Sequence, residues 1–159
     1  MPALRFRNIN ADPADPVSTW PTEGFITALE RGGIDEWARI AVAVKRDPWG
    51  PVARRLEDAL KVTYPYGVGV LMEYELASAR REAEDAERQE VARRVGEWLR
   101  RTGMSRSDFA EAIGTSTSRL STYLAGKVAP SSTLMVRMER VANQNTPGKE
   151  LVVHQADDH

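Results

Sequence analysis

Few side chains in this 159-residue sequence have the types and spacing that catalysis requires. The sequence has no cysteine, and its only histidines, His154 and His159, stand in the polar C-terminal stretch. A catalytic triad or a multi-histidine metal site would have to be built from that stretch. Gly67-Val68-Gly69 lacks the third glycine of a dinucleotide fingerprint, and Gly126-Lys127 lacks the preceding glycine of a phosphate-binding loop. We therefore expect a protein that is not an enzyme and that uses no cofactor and no metal.

Charge is distributed unevenly along the chain. Residues 91–142 carry nine basic and four acidic side chains, a net charge of +5, whereas the rest carries 13 basic and 19 acidic ones, a net charge of −6. A basic segment joined to an acidic one indicates that the first faces a polyanion and that the second has another task.

Hydropathy gives no sign of a membrane segment. The longest uncharged stretch covers residues 62–72 and is interrupted by Pro65, Gly67 and Gly69, whereas a membrane-spanning helix needs about 20 apolar residues. The first residues also lack the apolar run of a secretory signal. We expect a cytoplasmic protein that does not interact with membranes.

Apolar residues recur at helical spacing, and no segment alternates over the length of a strand, so an all-α fold is predicted. The predicted organisation has five parts. They are an extended or disordered arm (1–20), a small helical module for dimerisation or partner binding (21–66), a helical connector (67–90), a helical bundle (91–142) and a flexible tail (143–159).

Two features of the first half leave alternatives open. Met72, Leu76, Ala79, Ala83 and Ala86 follow a heptad spacing, which fits either a solvated connector or a helix pair across a dimer. Aromatic side chains are concentrated in the same half and could form a small core or a surface for a partner. They are Trp20, Trp37, Trp49, Tyr64, Tyr66 and Tyr74.

The informative pattern lies in residues 91–142. Ser105 and Ser131 are placed to cap helices, and Ala110, Gly114 and Leu120 have the spacing of two short helices joined by a tight turn. A small residue is needed where the two helices approach, a glycine supplies the positive φ of the turn, and the leucine anchors the second helix.

This segment resembles the lambda-repressor-like helix-turn-helix of the XRE/Cro family, over about a third of the chain. The matching residues are Phe109-Ala110-Glu111-Ala112-Ile113-Gly114, Arg119-Leu120-Ser121-Thr122-Tyr123-Leu124-Ala125-Gly126-Lys127 and Pro130-Ser131. The resemblance implies a transcriptional regulator of the nucleoid. It is expected to bind double-stranded DNA as a homodimer, with the helix 116–125 in the major groove of a near-palindromic operator.

The resemblance also implies which residues touch DNA. Arg106 and Lys127 match positions that contact phosphates, and Arg119 would reach a phosphate or a guanine edge. The remaining positions face base edges or flanking phosphates and are Ser116, Thr117, Ser118, Ser121 and Thr122. Family members often have Gln, Arg or Asn there, so direct base readout by this chain is expected to be weak. Leu99 and Leu124 replace an Arg–Glu pair found in many members.

Two other functions stay open beside a DNA-binding repressor or autoregulator. The segment Asp47-Pro48-Trp49-Gly50-Pro51 resembles helix-turn-helix proteins encoded beside toxin genes. This resemblance implies an N-terminal module that senses a ligand, dimerises the protein or, in an antitoxin, holds the toxin. The third possibility is a protein-interaction adaptor that does not bind DNA.

Overall fold

The computed structural model describes residues 3–145, and over that range the chain is helical without any strand, which confirms the all-α prediction. A 3-10 turn at Val17–Thr19 precedes the α-helices. These are α1 (Thr22–Arg31), α2 (Ile34–Arg46), α3 (Pro51–Val62), α4 (Val68–Thr102), α5 (Arg106–Ile113), α6 (Thr117–Leu124) and α7 (Ser132–Gln144). None of these helices has the length and apolarity to cross a bilayer.

The chain divides into two compact units between Ala83 and Glu84. In the first unit α1 packs mainly on α3, and α2 joins both. Its core includes Phe25, Leu29, Ile40, Leu56 and Met72, all of which are buried. Each large apolar side chain that is fully buried contributes about 1.5–3 kcal/mol to folding. Burial of these core residues therefore determines how the short helices pack together.

The N-terminal segment differs from the predicted extended or disordered arm. Its described part, residues 3–20, contains bends, turns and the 3-10 turn, and it ends on Trp20, which is fully buried. The Phe6 ring packs edge-on against Trp20 at 5.2 Å between centroids. Arg39 donates hydrogen bonds to the carbonyl oxygens of Pro13 and Asp15. Tertiary contacts therefore order a segment whose sequence has no helical period.

The segment Asp47-Pro48-Trp49-Gly50-Pro51 forms the turn between α2 and α3. Pro48 ends α2, as expected from the restriction that proline places on the preceding residue, and Pro51 occupies the first turn of α3. Arg80 lies 4.8 Å from the Trp49 ring centroid, donates to the Pro48 carbonyl at 3.0 Å and pairs with Glu57. This segment therefore has a structural role, because its contacts with Arg80 hold α4 against the turn.

Residues 68–102, whose continuity the sequence left open, form the single helix α4. Three members of the heptad series, Met72, Leu76 and Ala79, are buried in the core of the first unit, whereas Ala86 is exposed. Most of the heptad series is therefore buried in the chain's own core and is not available to a partner helix.

At the C-terminal end, α7 extends to Gln144, where the Asn145 side chain donates to the Val141 carbonyl at 2.8 Å. The predicted flexible tail (143–159) therefore begins inside a helix. The rest of that predicted segment, from residue 146, lies outside the described residues, and so do His154 and His159.

Replacing Trp20 by alanine tests whether the N-terminal segment belongs to the core. Loss of this buried side chain should reduce the free energy of unfolding by about 3–5 kcal/mol. The matched control is Trp49→Ala. Trp49 is 48% exposed and interacts mainly with Arg80, so its removal should cost about 1 kcal/mol or less. Urea unfolding followed by circular dichroism measures both. Equal losses for the two variants would contradict a packed N-terminal segment.

Candidate nucleic-acid interface

The second unit has its own core beneath α5, α6 and α7. The predicted inward faces are confirmed at Phe109, Ile113, Leu120 and Met138, each of which is at most 1% exposed. Val95 of α4 joins them, and Leu99 and Leu124 pack at the edge of the same cluster. Both leucines therefore contribute apolar contacts to this core.

The turn between α5 and α6 has the predicted geometry. Ala110 is 1% exposed, and Gly114 is left-handed with a φ of 79°. The backbone N–H of Gly114 donates to the Glu111 carbonyl at 3.2 Å, and that of Thr115 donates to the Ala110 carbonyl at 2.9 Å. These two bonds form a Schellman motif. It satisfies the last carbonyls of α5 and redirects the chain into α6.

Both ends of α6 are also fixed by local bonds. Ser116 Oγ accepts the backbone N–H of Arg119 at 3.1 Å and caps the helix. At the other end Gly126 is left-handed with a φ of 71°. The N–H of Lys127 donates to the Thr122 carbonyl at 3.1 Å. Ser105 and Ser131 cap α5 and α7 in the same way as Ser116, as predicted.

The structure presents the predicted DNA-contacting residues on the outside of this unit. Six of them are exposed and two, Ser121 and Thr122, are partly buried. The exposed six are Arg106, Ser116, Thr117, Ser118, Arg119 and Lys127. At 3.6 residues per turn, Ser118 and Thr122 lie on the side of α6 opposite the buried Leu120. Ser118 is exposed there, and Thr122, whose hydroxyl bonds back to the helix, is partly buried.

The hydroxyl groups on this face differ in what they can offer. Thr122 Oγ1 donates its hydrogen to the Arg119 carbonyl at 2.6 Å, which leaves its lone pairs and its methyl group for a ligand. Ser116 uses an oxygen lone pair as the helix cap. Within residues 3–145 the side chains of Thr117, Ser118 and Ser121 have no hydrogen-bond partner. These three can therefore both donate and accept.

Some basic side chains of this unit are paired with carboxylates, and others are not. Arg93 and Arg94 donate to Glu90 at 2.8 to 3.1 Å, and Arg93 also reaches Glu97 at 3.0 Å. The hydrogen bonds from Arg93 and then Arg94 lower the pKa of Glu90 to about 2.

In contrast, Arg106, Arg119 and Lys127 form no ion pair within the part of the chain that the structure describes. Their charges are thus available to a polyanion. No three residues of the types His, Cys, Asp and Glu between residues 3 and 145 are grouped as metal ligands.

Sequence reasoning missed two contacts that support this unit. The Arg137 guanidinium donates to the Ile113 carbonyl at 3.4 Å, at the end of α5 where unpaired carbonyls and the helix dipole favour a cation. Arg101 donates to Asn143 Oδ1 at 2.9 Å. The partners are 24 and 42 residues apart in sequence, so no local pattern could have indicated them.

Comparison with known proteins finds a family match in the same segment. Residues 95–146, about a third of the chain, match the helix-turn-helix family model, of the XRE/lambda-repressor-like type. No curated protein and no solved structure matches the chain. The C-terminal segment is therefore similar to helix-turn-helix domains of this DNA-binding type.

Two glycine-to-alanine substitutions should have opposite effects on stability. At Gly114 an alanine must adopt a positive φ, which should lower the free energy of unfolding by about 1 kcal/mol. At Gly96, within α4, the added Cβ would meet its nearest atoms at 3.7 and 3.8 Å, an ordinary contact distance. Alanine there should raise stability by about 0.5–1 kcal/mol. Thermal unfolding measures both, and a stabilised Gly114→Ala variant would refute the left-handed turn.

Proposed function

We propose that this protein is a sequence-specific, DNA-binding transcriptional regulator, a homodimeric repressor or autoregulator whose α6 enters the major groove of a near-palindromic operator. The observation that carries the proposal is the uncovered polar face of α6, held outward by the Ala110–Gly114–Leu120 turn in a segment that matches the helix-turn-helix family. In this proposal the protein acts in the cytoplasm at the nucleoid and is neither an enzyme nor cofactor-dependent.

The charged residues position the protein on the DNA backbone. Arg106 stands at the first residue of α5, where its charge adds to the partial positive charge of the helix N-terminus. Lys127 follows α6, and Arg119 is the only long hydrogen-bond donor within that helix. We assign phosphate contacts to Arg106 and Lys127, and a phosphate or guanine contact to Arg119.

The hydroxyl residues of α6 read bases or flanking phosphates in this proposal. Ser118 and Ser121 offer both a donor and acceptors. Thr122, whose hydrogen is already committed to the Arg119 carbonyl, offers lone pairs to an amino group of adenine or cytosine and a methyl group to thymine. Single hydroxyls discriminate less than bidentate side chains, so DNA shape and bridging waters supply part of the specificity. Ser116 and Thr117, at the start of α6, are likewise assigned to base edges or flanking phosphates.

Arginine-to-alanine variants test the phosphate contacts through salt dependence. The logarithm of the association constant for duplex DNA falls linearly with that of salt concentration, with a slope of about −0.9 per phosphate contact. Arg106→Ala and Arg119→Ala should each weaken binding to a random-sequence duplex and make the slope less steep by about 1. Fluorescence anisotropy over a salt series measures both quantities.

The matched control is Arg54→Ala, which removes the same charge from an exposed position on α3 in the first unit. Its affinity and slope should equal those of the unchanged protein. If Arg106→Ala and Arg119→Ala show the same affinity and the same salt slope as Arg54→Ala, α5 and α6 do not contact DNA. The C-terminal unit would then serve as an adaptor, and the antitoxin hypothesis would have to rest on the N-terminal module alone.

A further inference from the structure

The first unit exposes a concentrated apolar surface at the start of α4. Five large side chains within eleven residues contribute to it, namely Tyr64, Tyr66, Val70, Leu71 and Tyr74, which are 48%, 104%, 61%, 42% and 61% exposed. We call this surface the tyrosine patch. We infer that the tyrosine patch is the surface through which two copies of this chain form a homodimer.

Part of the patch surrounds one cavity, and the rest follows on α4. Tyr64, Tyr66 and Val70 line one open cavity of about 450 Å³. On α4, Tyr74 follows Val70 by four residues and Leu71 by three, the spacings at which side chains on one helix face meet. Val70 and Tyr74 lie on the side of α4 opposite Met72, Leu76 and Ala79, which are buried in the unit's own core. The dimer contact is therefore distinct from the heptad series.

Part of the patch is already ordered in the single chain. The Tyr64 ring lies against the backbone of Gly69, where a Cβ would come within 2.8 Å of three ring atoms. The Tyr64 hydroxyl also donates to Glu73 at 2.8 Å. A side chain that is fixed before association loses less conformational entropy on binding.

The size of the patch suits the centre of a dimer interface. An aromatic side chain can bury roughly 150–250 Å², so the exposed parts of these five side chains offer about 500 Å² per copy. A standard interface buries about 800 Å² on each partner, with an apolar centre, a polar rim and an enrichment in tyrosine. The patch supplies that centre, and the polar side chains around it supply the remainder.

The charges beside the patch favour a second copy over a strongly charged partner. The adjoining groove between α3 and α4 is lined by Glu57, Lys61, Glu73 and Arg80, two acidic and two basic side chains. In a two-fold interface the same surface meets itself, so a rim of one sign would repel its copy. This rim has no net charge, because Glu57 is paired with Arg80 and Glu73 is matched by Lys61, so it does not oppose a second copy. A homodimer also gives the two recognition helices that a near-palindromic operator needs, and this last argument rests on the proposed function.

The test introduces like charges into the patch. The double variant Tyr66→Asp/Tyr74→Asp places four carboxylates in the dimer contact, and both positions are exposed enough that folding of the chain should be unaffected. Sedimentation equilibrium without DNA should show a dimer for the unchanged protein. The dissociation constant of the double variant should be at least about 30-fold higher, with unchanged helical circular dichroism.

Ile34→Asp is the matched control, because Ile34 is an apolar side chain of the same unit, 78% exposed and outside the patch. It should remain as dimeric as the unchanged protein. The inference is overturned if the double variant dimerises as strongly as the control, or if the unchanged protein is a monomer at every concentration. A monomer that instead binds a different protein through these tyrosines would also overturn it.

The two proposals can fail separately. A monomeric protein with salt-dependent DNA binding that weakens in Arg119→Ala would refute the dimer surface and leave the DNA-binding proposal standing. A patch-dependent dimer without any DNA binding would do the reverse.

Discussion

The close approach of α5 and α6 is the constraint on which the candidate interface depends. An isolated helix of eight residues is not stable in water, so α6 owes its order to packing and to its caps. Ala110 allows the two helices to come together, Gly114 turns the chain between them, and Leu120 fixes the rotation of α6. Once that rotation is fixed, Ser118 and Thr122 must face outward. A polar face for a ligand is thus a direct consequence of how the apolar face is buried.

The first unit uses its aromatic residues in two ways. Trp20 is buried and draws the N-terminal segment onto the core, whereas Tyr66 and Tyr74 stay exposed. The structure thus places Trp20 in the core, whereas a partner surface at Tyr66 and Tyr74 stays a proposal. In the proposed function the C-terminal unit contacts DNA, and in the further inference the N-terminal unit brings two copies together.

Local signals in the sequence were sufficient for most of the second unit. The caps at Ser105 and Ser131, the turn at Gly114 and the inward faces of α5 to α7 follow from residue types at short spacing, and the structure confirms them. The contact roles of Arg106, Arg119 and Lys127 rest on resemblance, and they stay predictions although the structure finds these side chains exposed.

Other features could not be predicted, because they depend on contacts between distant residues. The burial of Trp20 requires Phe6 and Phe25 around it, and the packing of Trp49 requires Arg80 from α4. Neither contact leaves a periodic pattern in the sequence. Likewise, the heptad spacing of α4 predicted a dimer seam or a solvated connector as alternatives. Only the tertiary structure assigns Met72, Leu76 and Ala79 to an internal core.

In the proposed function, α6 reads DNA in two symmetric copies. The most direct test is to bind the purified full-length protein to genomic fragments at two salt concentrations and to sequence the retained DNA. This function predicts enrichment of a short inverted repeat and a steep loss of binding at the higher salt concentration. Retention of no particular sequence at either salt concentration would contradict it.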